Sequence, residues 1–283
     1  MTTTKDSLPE PEHRHGGEAH NDHAMAQLLD LDAEVLRDYL DELTGWLAEL
    51  ADPSPRRILD LGSGTGTGSF ALLRRFESAT IIALDVSPHM VQRLEHRARE
   101  LGLGSRVTAV QADLNKPWPR VEAADLAWAA SSLHHLDDPG HALRQAFAAI
   151  RPGGLLVATE MDNFPRVLPE DIGIGRPGLG TRIHAALGGG PGVDWTEALV
   201  AAGFVIDAAR PFVINLPAPA PEATGRYANA FLGQLRRHLD DQLDAQDISA
   251  LDTLLATDGP HSLLGRTDLH VETTRTTWVA RRP

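Results

Sequence analysis

The chain contains no cysteine. Disulfides, thiolate metal sites and cysteine nucleophiles are therefore excluded. It also lacks any run of 18 apolar residues, so no membrane-spanning helix is expected. Positive charge is in deficit: 26 Lys and Arg stand against 39 Asp and Glu, a formal net charge of -13. Such a chain repels nucleic-acid phosphates, and no nucleic-acid partner is expected. The densest basic stretch, "RLEHRARE" (93–100), alternates sign along a helix and reads as a solvated face. The first 23 residues are polar, without an apolar segment of the signal-peptide kind. They read as a flexible tail, and the expected location is the cytoplasm. His13, His15, His20 and His23 fall there at irregular spacing, and no metal site is expected of them.

The 283 residues are enough to bury a substantial core, and 42% of them are apolar. Residues 24–51 carry Leu28, Leu31, Val35, Tyr39, Leu43, Trp46 and Leu50 at helical spacing, which predicts one or two amphipathic helices. "DPSP" (52–55) breaks that pattern. Short apolar runs then alternate with helical stretches. "RRILDLG", "ATIIALDVS", "RVTAVQAD", "AADLAWAAS" and "GGLLVATEM" read as strands, with helices predicted over 67–77, 88–101 and 139–150. This alternation predicts an α/β fold, a doubly wound, mostly parallel sheet with helices on both faces. The part after residue 161 is less regular. Its glycine-rich stretch to about 192 reads as a mobile loop with a short helix. "VIDAARPFVINL" reads as a sixth strand kinked near Pro211, and helices are expected near 222–243 and 246–257. "HVETTRTTWVARR" reads as a closing strand.

The densest local signal is "ILDLGSGTGTGS" (58–69), with Gly62, Gly64, Gly66 and Gly68 at alternate positions directly after a strand. A glycine-rich turn between strand and helix lets backbone approach a ligand where a Cβ would collide, and it presents free N–H groups at a helix N-terminus. The dinucleotide fingerprint GxGxxG fits poorly, because Thr67 or Ser69 stands where its third glycine belongs. Asp60, Gly62, Gly64 and Gly66 instead fill acidic-x-Gly-x-Gly-x-Gly. Here the chain resembles the class I S-adenosylmethionine-dependent methyltransferases, in particular the small-molecule branch that includes ubiquinone and menaquinone methyltransferases. The resemblance spans roughly 55–160.

The resemblance implies a Rossmann-like seven-stranded sheet, S-adenosylmethionine as cofactor, and a set of cofactor-binding positions. Asp60, Gly62, Ser63, Gly64 and Gly66 belong to the first loop. Asp85, nineteen residues after Gly66, would accept hydrogen bonds from ribose hydroxyls, and Val86 and Met90 would pack on adenine. Asp113 would accept from the adenine amino group, with the Leu114 amide beside it. Ala129 and Ser131 would run past the methyl-bearing portion. "IRPGG" (150–154) leading into the fifth strand is a further landmark of the family.

Methyl transfer from a sulfonium needs alignment and exclusion of water more than it needs a nucleophile. A base is required only for an acceptor atom that holds its proton tightly. His134 and His135, just after the fourth strand, are the candidates; a scaffold role for the pair is the competing reading. The organisation expected is a tail at 1–23, a helical lid at 24–51, a cofactor core at 52–161, and a remainder at 162–283. Helical substrate-pocket insertions are expected in that remainder at about 162–192 and 217–266. Tyr39, Trp46, Tyr227 and Phe231 are candidate pocket walls. Arg166, Arg176, Arg182 and Arg226 are candidate partners for an acidic group. The function expected is methyl transfer to a small molecule, O-methylation favoured and C- or N-methylation open, by a monomer or homodimer. The glycine- and alanine-rich composition associates it with secondary metabolism. The competing readings are a non-catalytic S-adenosylmethionine-binding protein and a nicotinamide-dependent oxidoreductase.

Overall fold

The apolar runs assemble into one seven-stranded sheet. A computed structural model of the chain describes residues 15–119, 121–188 and 192–283. The elements, in chain order, are α1 (His15–Val35), α2 (Arg37–Leu50), β1 (Arg57–Leu61), α3 (Thr67–Arg75), β2 (Thr80–Asp85), α4 (Pro88–Glu100), β3 (Val107–Gln111), β4 (Ala124–Ala130), α5 (Pro139–Ala149), β5 (Ile150–Met161), α6 (Leu179–Ala186), α7 (Thr196–Ala201), β6 (Val205–Leu216), α8 (Thr224–Arg236), α9 (Ala245–Leu255) and β7 (Val271–Arg281).

The strand order is β3-β2-β1-β4-β5-β7-β6, and only β7 runs antiparallel to its neighbours. β1 and β4 lie at the centre and are buried along almost their whole length, so they read as continuous apolar runs rather than alternating ones. One face of the sheet packs against α1 to α4, α8 and α9, and the other against α5 and α7. The chain reverses outward from β1, so the C-terminal ends of β1, β2 and β4 form the crevice where a ligand is expected.

Local chemistry explains several boundaries. Ser87 and Asp138 cap α4 and α5, each followed by a proline in the first turn, and each side chain accepts a backbone N–H. The expected kink at Pro211 is absent. Pro211 pairs in register with Thr276, and the irregularity lies earlier, between Ile206 and Ala208. Since β6 is an edge strand, a residue without an N–H is tolerated there. The expected tail needs correction as well. Residues 15–23 belong to α1, while 1–14 lie outside the described residues. Local propensity in "HGGEAHNDH" is weak, and partners on α4 support the helix: Ser87 donates to Asp22 at 2.5 Å, and the His23 and His89 rings meet edge-on at 6.1 Å. The insertion between β6 and β7 supplies α8, which packs along α1. Among the described residues no helix is long and apolar enough to cross a membrane.

Candidate functional site

The glycine loop sits where β1 ends and α3 begins. Gly62, Gly64 and Gly66 all have positive φ, at 73°, 51° and 82°. At Gly62 a Cβ would lie 2.6 Å from the Cβ of Ser132, so the loop after β4 presses directly on the loop after β1. At Gly64 a Cβ would meet Leu29 of α1 at 2.8 Å. The first helix therefore lies across the glycine turn, and a side chain at either position would separate surfaces that now touch.

Asp85, at the end of β2, ties this turn to the sheet. One carboxylate oxygen accepts the Gly64 N–H at 2.8 Å and the other accepts the Ser87 N–H at 2.9 Å. Burial pushes its pKa up; the backbone N–H groups oppose this, and the nearby Asp22 charge reinforces it. Asp60 lies deeper, with its residue only 2% exposed, and accepts the Ser69 hydroxyl at 2.6 Å. Burial lifts its pKa to about 7 despite Ser69, with Asp85 adding to the rise. Asp60 thus braces the first turn of α3 from below the loop.

Three hydroxyls around the turn are buried without a partner: those of Ser63, Thr65 and Ser132. An unsatisfied buried polar group costs about 1–3 kcal/mol, so three together leave the turn with hydrogen-bonding capacity that the protein itself does not meet.

The loop after β4 is held by a residue that sequence reasoning missed. Glu160, near the end of β5 and 4% exposed, accepts the Ser132 and Leu133 N–H groups on one oxygen, at 3.1 and 2.9 Å. Its other oxygen lies 2.6 Å from His134 Nδ1. With the carboxylate accepting, Nδ1 donates in that contact, which leaves Nε2 of a neutral imidazole as the acceptor. The His135 ring lies against His134 at a tilt of 46°, with centroids 4.0 Å apart, and burial, then the neighbouring His134, lowers its pKa. Ser131 takes φ 49°, and its N–H donates to Thr159 O at 2.8 Å.

The other expected positions divide. Ala129, Met90 and Leu114 are buried close behind the crevice, and Met90 N–H is received by Ser87 Oγ at 3.3 Å. Val86 is 61% exposed. Asp113 lies on the rim and is engaged locally, accepting from Lys116 at 3.0 Å and the Asn115 N–H at 3.0 Å; Lys116 and then Asn115 hold its pKa below the usual range. The structure brings together Asp60, the 62–66 loop, Asp85, Ser131 and His134. The signal for Glu160 was faint: a lone acid near the end of an otherwise apolar strand, "LLVATEM".

Residues 58–154 match the family model for a methyltransferase domain. This stretch is a class I, S-adenosylmethionine-dependent methyltransferase domain. The strand order of the whole sheet, with β7 antiparallel, is that of the class. The malonyl-acyl-carrier-protein O-methyltransferase of Halorhodospira halophila is 36% identical over 47% of this chain and 44% of its own length. The trans-aconitate 2-methyltransferase of Pseudomonas aeruginosa is 28% identical over 69% of this chain and 79% of its own length. The chain thus spans less than half the length of the first of these relatives. A solved structure from Bacillus halodurans has a TM-score of 0.54 at 14% identity, covering 85% of this chain and 98% of that one, and so shares the fold.

The methyltransferase domain's residues fit such a cofactor. The positive-φ glycines put no side chain between the loop backbone and a ligand, and the unpartnered hydroxyls of Ser63, Thr65 and Ser132 offer donors and acceptors to its polar groups. Among the described residues no cluster suited to a metal ion is present.

Proposed function

We propose that the chain transfers a methyl group from S-adenosylmethionine to a small-molecule acceptor, with oxygen the favoured atom. The observation that carries this reading is the polar, partnerless lining of the glycine cradle, set between the carboxylate of Asp85 and the His134 imidazole. The kinship with an O-methyltransferase and a trans-aconitate methyltransferase supports the same class of reaction.

When bound, the cofactor supplies a methyl already activated by a positively charged sulfur. The chain's own residues then do four things. The loop 62–66 and Asp85 fix the position of the adenosyl portion. Ser132, pressed against Gly62, holds the loop after β4 close to that portion. α1, with Leu29 over Gly64, excludes water from the crevice. His134, oriented by Glu160, accepts a proton at Nε2 from an acceptor hydroxyl. An acceptor already ionised needs no such base.

Isothermal titration calorimetry with S-adenosylhomocysteine tests the reading. Heat of binding is expected for the purified chain, and Asp85→Ala is expected to weaken it about tenfold or more. Absence of binding to both S-adenosylmethionine and S-adenosylhomocysteine would remove the proposal.

A further inference from the structure

Several arginines of this chain grip carboxylates with a full fork. Arg182 donates from Nε and Nη2 to the two oxygens of Asp247, at 2.6 and 2.9 Å. Arg236 does the same to Asp252 at 2.6 and 3.2 Å, and Arg266 to Asp268 at 2.8 and 2.5 Å. Arg275, on β7, does not. Its Nη2 donates to one oxygen of Asp32 at 2.7 Å, while its Nε is buried with no partner. Its side chain is only 11% exposed.

The place of this half-filled fork matters. Arg275 stands opposite Met161 in the β5–β7 ladder. Two residues back on β5, Thr159 meets the Tyr39 hydroxyl at 3.0 Å and accepts from Thr277 at 2.8 Å. Thr159 is paired with Ala130 at the end of β4. The polar cluster therefore begins one strand spacing, about 4.8 Å, from the end of β4, the strand end that the methyltransferase reading would set beside the methyl group. Tyr39 lies under the guanidinium, 5.3 Å from Cζ to the ring centroid. The Tyr227 hydroxyl donates to the same Asp32 oxygen at 3.2 Å.

Asp32 belongs to α1, the helix whose Leu29 covers Gly64. The element that must shift for ligands to reach the crevice is thus the one whose carboxylate occupies half of the fork. Resting on the methyltransferase reading, we propose that Arg275 anchors a carboxylate of the methyl acceptor, and that Asp32 holds its place until the acceptor binds. The acceptor is then a small carboxylic acid. A planar carboxylate fills Nε and Nη2 together, which a single Asp32 oxygen does not, and a neutral amide, with one acceptor oxygen, leaves one N–H of the fork unmet. Because the chain as a whole is acidic, this buried cation also supplies the local attraction that its net charge denies to anions.

The test is calorimetry with acetate, succinate, citrate and benzoate, each against its neutral amide, with and without S-adenosylhomocysteine. At least one carboxylate is expected to bind while its amide does not. Arg275→Met is expected to weaken that binding at least tenfold, and Arg275→Lys to recover only part, since lysine restores charge without the fork. Asp32→Asn, which removes the competing carboxylate, is expected to tighten it severalfold. Binding that is indifferent to the Arg275 variants, amides that bind as well as the acids, or weaker binding in Asp32→Asn overturns the proposal. Carboxylate heat without S-adenosylhomocysteine heat would keep the Arg275 site and remove the methyltransferase reading. The converse result would remove the Arg275 site alone.

Discussion

The two rims of the crevice leave their polar groups in opposite states. On the cofactor rim, three buried hydroxyls at Ser63, Thr65 and Ser132 have no partner at all. On the rim proposed for the acceptor, Tyr39, Thr159 and Thr277 are joined to one another, and Asp32 joins Tyr227 to Arg275, with the Arg275 Nε left over. The first rim is preformed beneath α1, its donors and acceptors unmet, and becomes reachable only when α1 shifts. The second is closed upon itself and must exchange partners to open. α1 connects the two. Its acids reach Ser87, Arg93 and Arg97, Arg275, and Arg226 in turn, through Asp22, Asp30, Asp32 and Glu34. A helix fastened at so many points, several of them partly exposed, can be released stepwise, because exposed pairs are each worth only about 0–1 kcal/mol.

The sharpest way to break this contrast is to damage the preformed rim. Gly62→Val would put a branched side chain at φ 73° and drive its Cβ into Ser132, 2.6 Å away. A left-handed β-branched residue costs on the order of 1–3 kcal/mol before any clash. S-adenosylhomocysteine affinity is expected to fall about a thousandfold, near 4 kcal/mol, as read by calorimetry. A variant that bound normally would show that the close contact of the β1 and β4 loops is irrelevant to the cofactor.

A smaller effect is expected at the junction of the rims. Glu160→Gln keeps an oxygen for the Ser132 and Leu133 N–H groups, but it can turn an amide N–H toward His134 Nδ1. The imidazole would then carry its proton on Nε2 and lose its acceptor there. For an acceptor that must be deprotonated, kcat is expected to drop about a hundredfold and the acidic limb of the pH profile to change, with cofactor affinity nearly unaltered. If Glu160 only braces the loop, cofactor affinity and kcat will fall together and the pH profile will keep its form.

The same contrast explains what was legible in the sequence. The sheet, its order and the glycine turn repeat a local grammar of strand, turn and helix, so each landmark confirms the next within about thirty residues. The acceptor rim has no such grammar. Arg275 sits inside "HVETTRTTWVARR", where it looks like the exposed position of an alternating strand, and its partner Asp32 is 243 residues away. Three of the four arginines named from sequence for an acidic group are engaged elsewhere, Arg176 and Arg182 on Asp247 and Arg226 on Glu34 at the surface, while Arg166, bridged to Glu272 through its backbone, lines a cavity with His184 and Asn215. Asp113 holds its expected place after β3, yet a three-residue ion pair with Lys116 captures its side chain. Register predicts where a residue stands; only packing decides which way it turns.

The mildest test concerns the floor beneath the preformed rim. Asp60 is an acid whose pKa burial has raised to about 7, against an ordinary value near 4. The folded chain therefore holds its proton more tightly than the unfolded chain does. The stability from that proton is full below about pH 4 and is lost as pH rises through about 7. Between pH 5 and 6 this group alone removes about 1.4 kcal/mol, or roughly 2–4 °C of Tm for a chain of this size. Asp60→Asn keeps an oxygen for the Ser69 hydroxyl and carries no charge. Its Tm is expected to fall less than that of the wild type between pH 5 and 7 and to exceed it at pH 8. Ser69→Ala, which removes the one hydrogen bond favouring the carboxylate, is expected to move the wild-type step to higher pH. Parallel melting curves for wild type and Asp60→Asn across pH 5–8 would show that the buried acid stays ionised, and the floor of the cofactor rim would then carry a charge where a proton is expected.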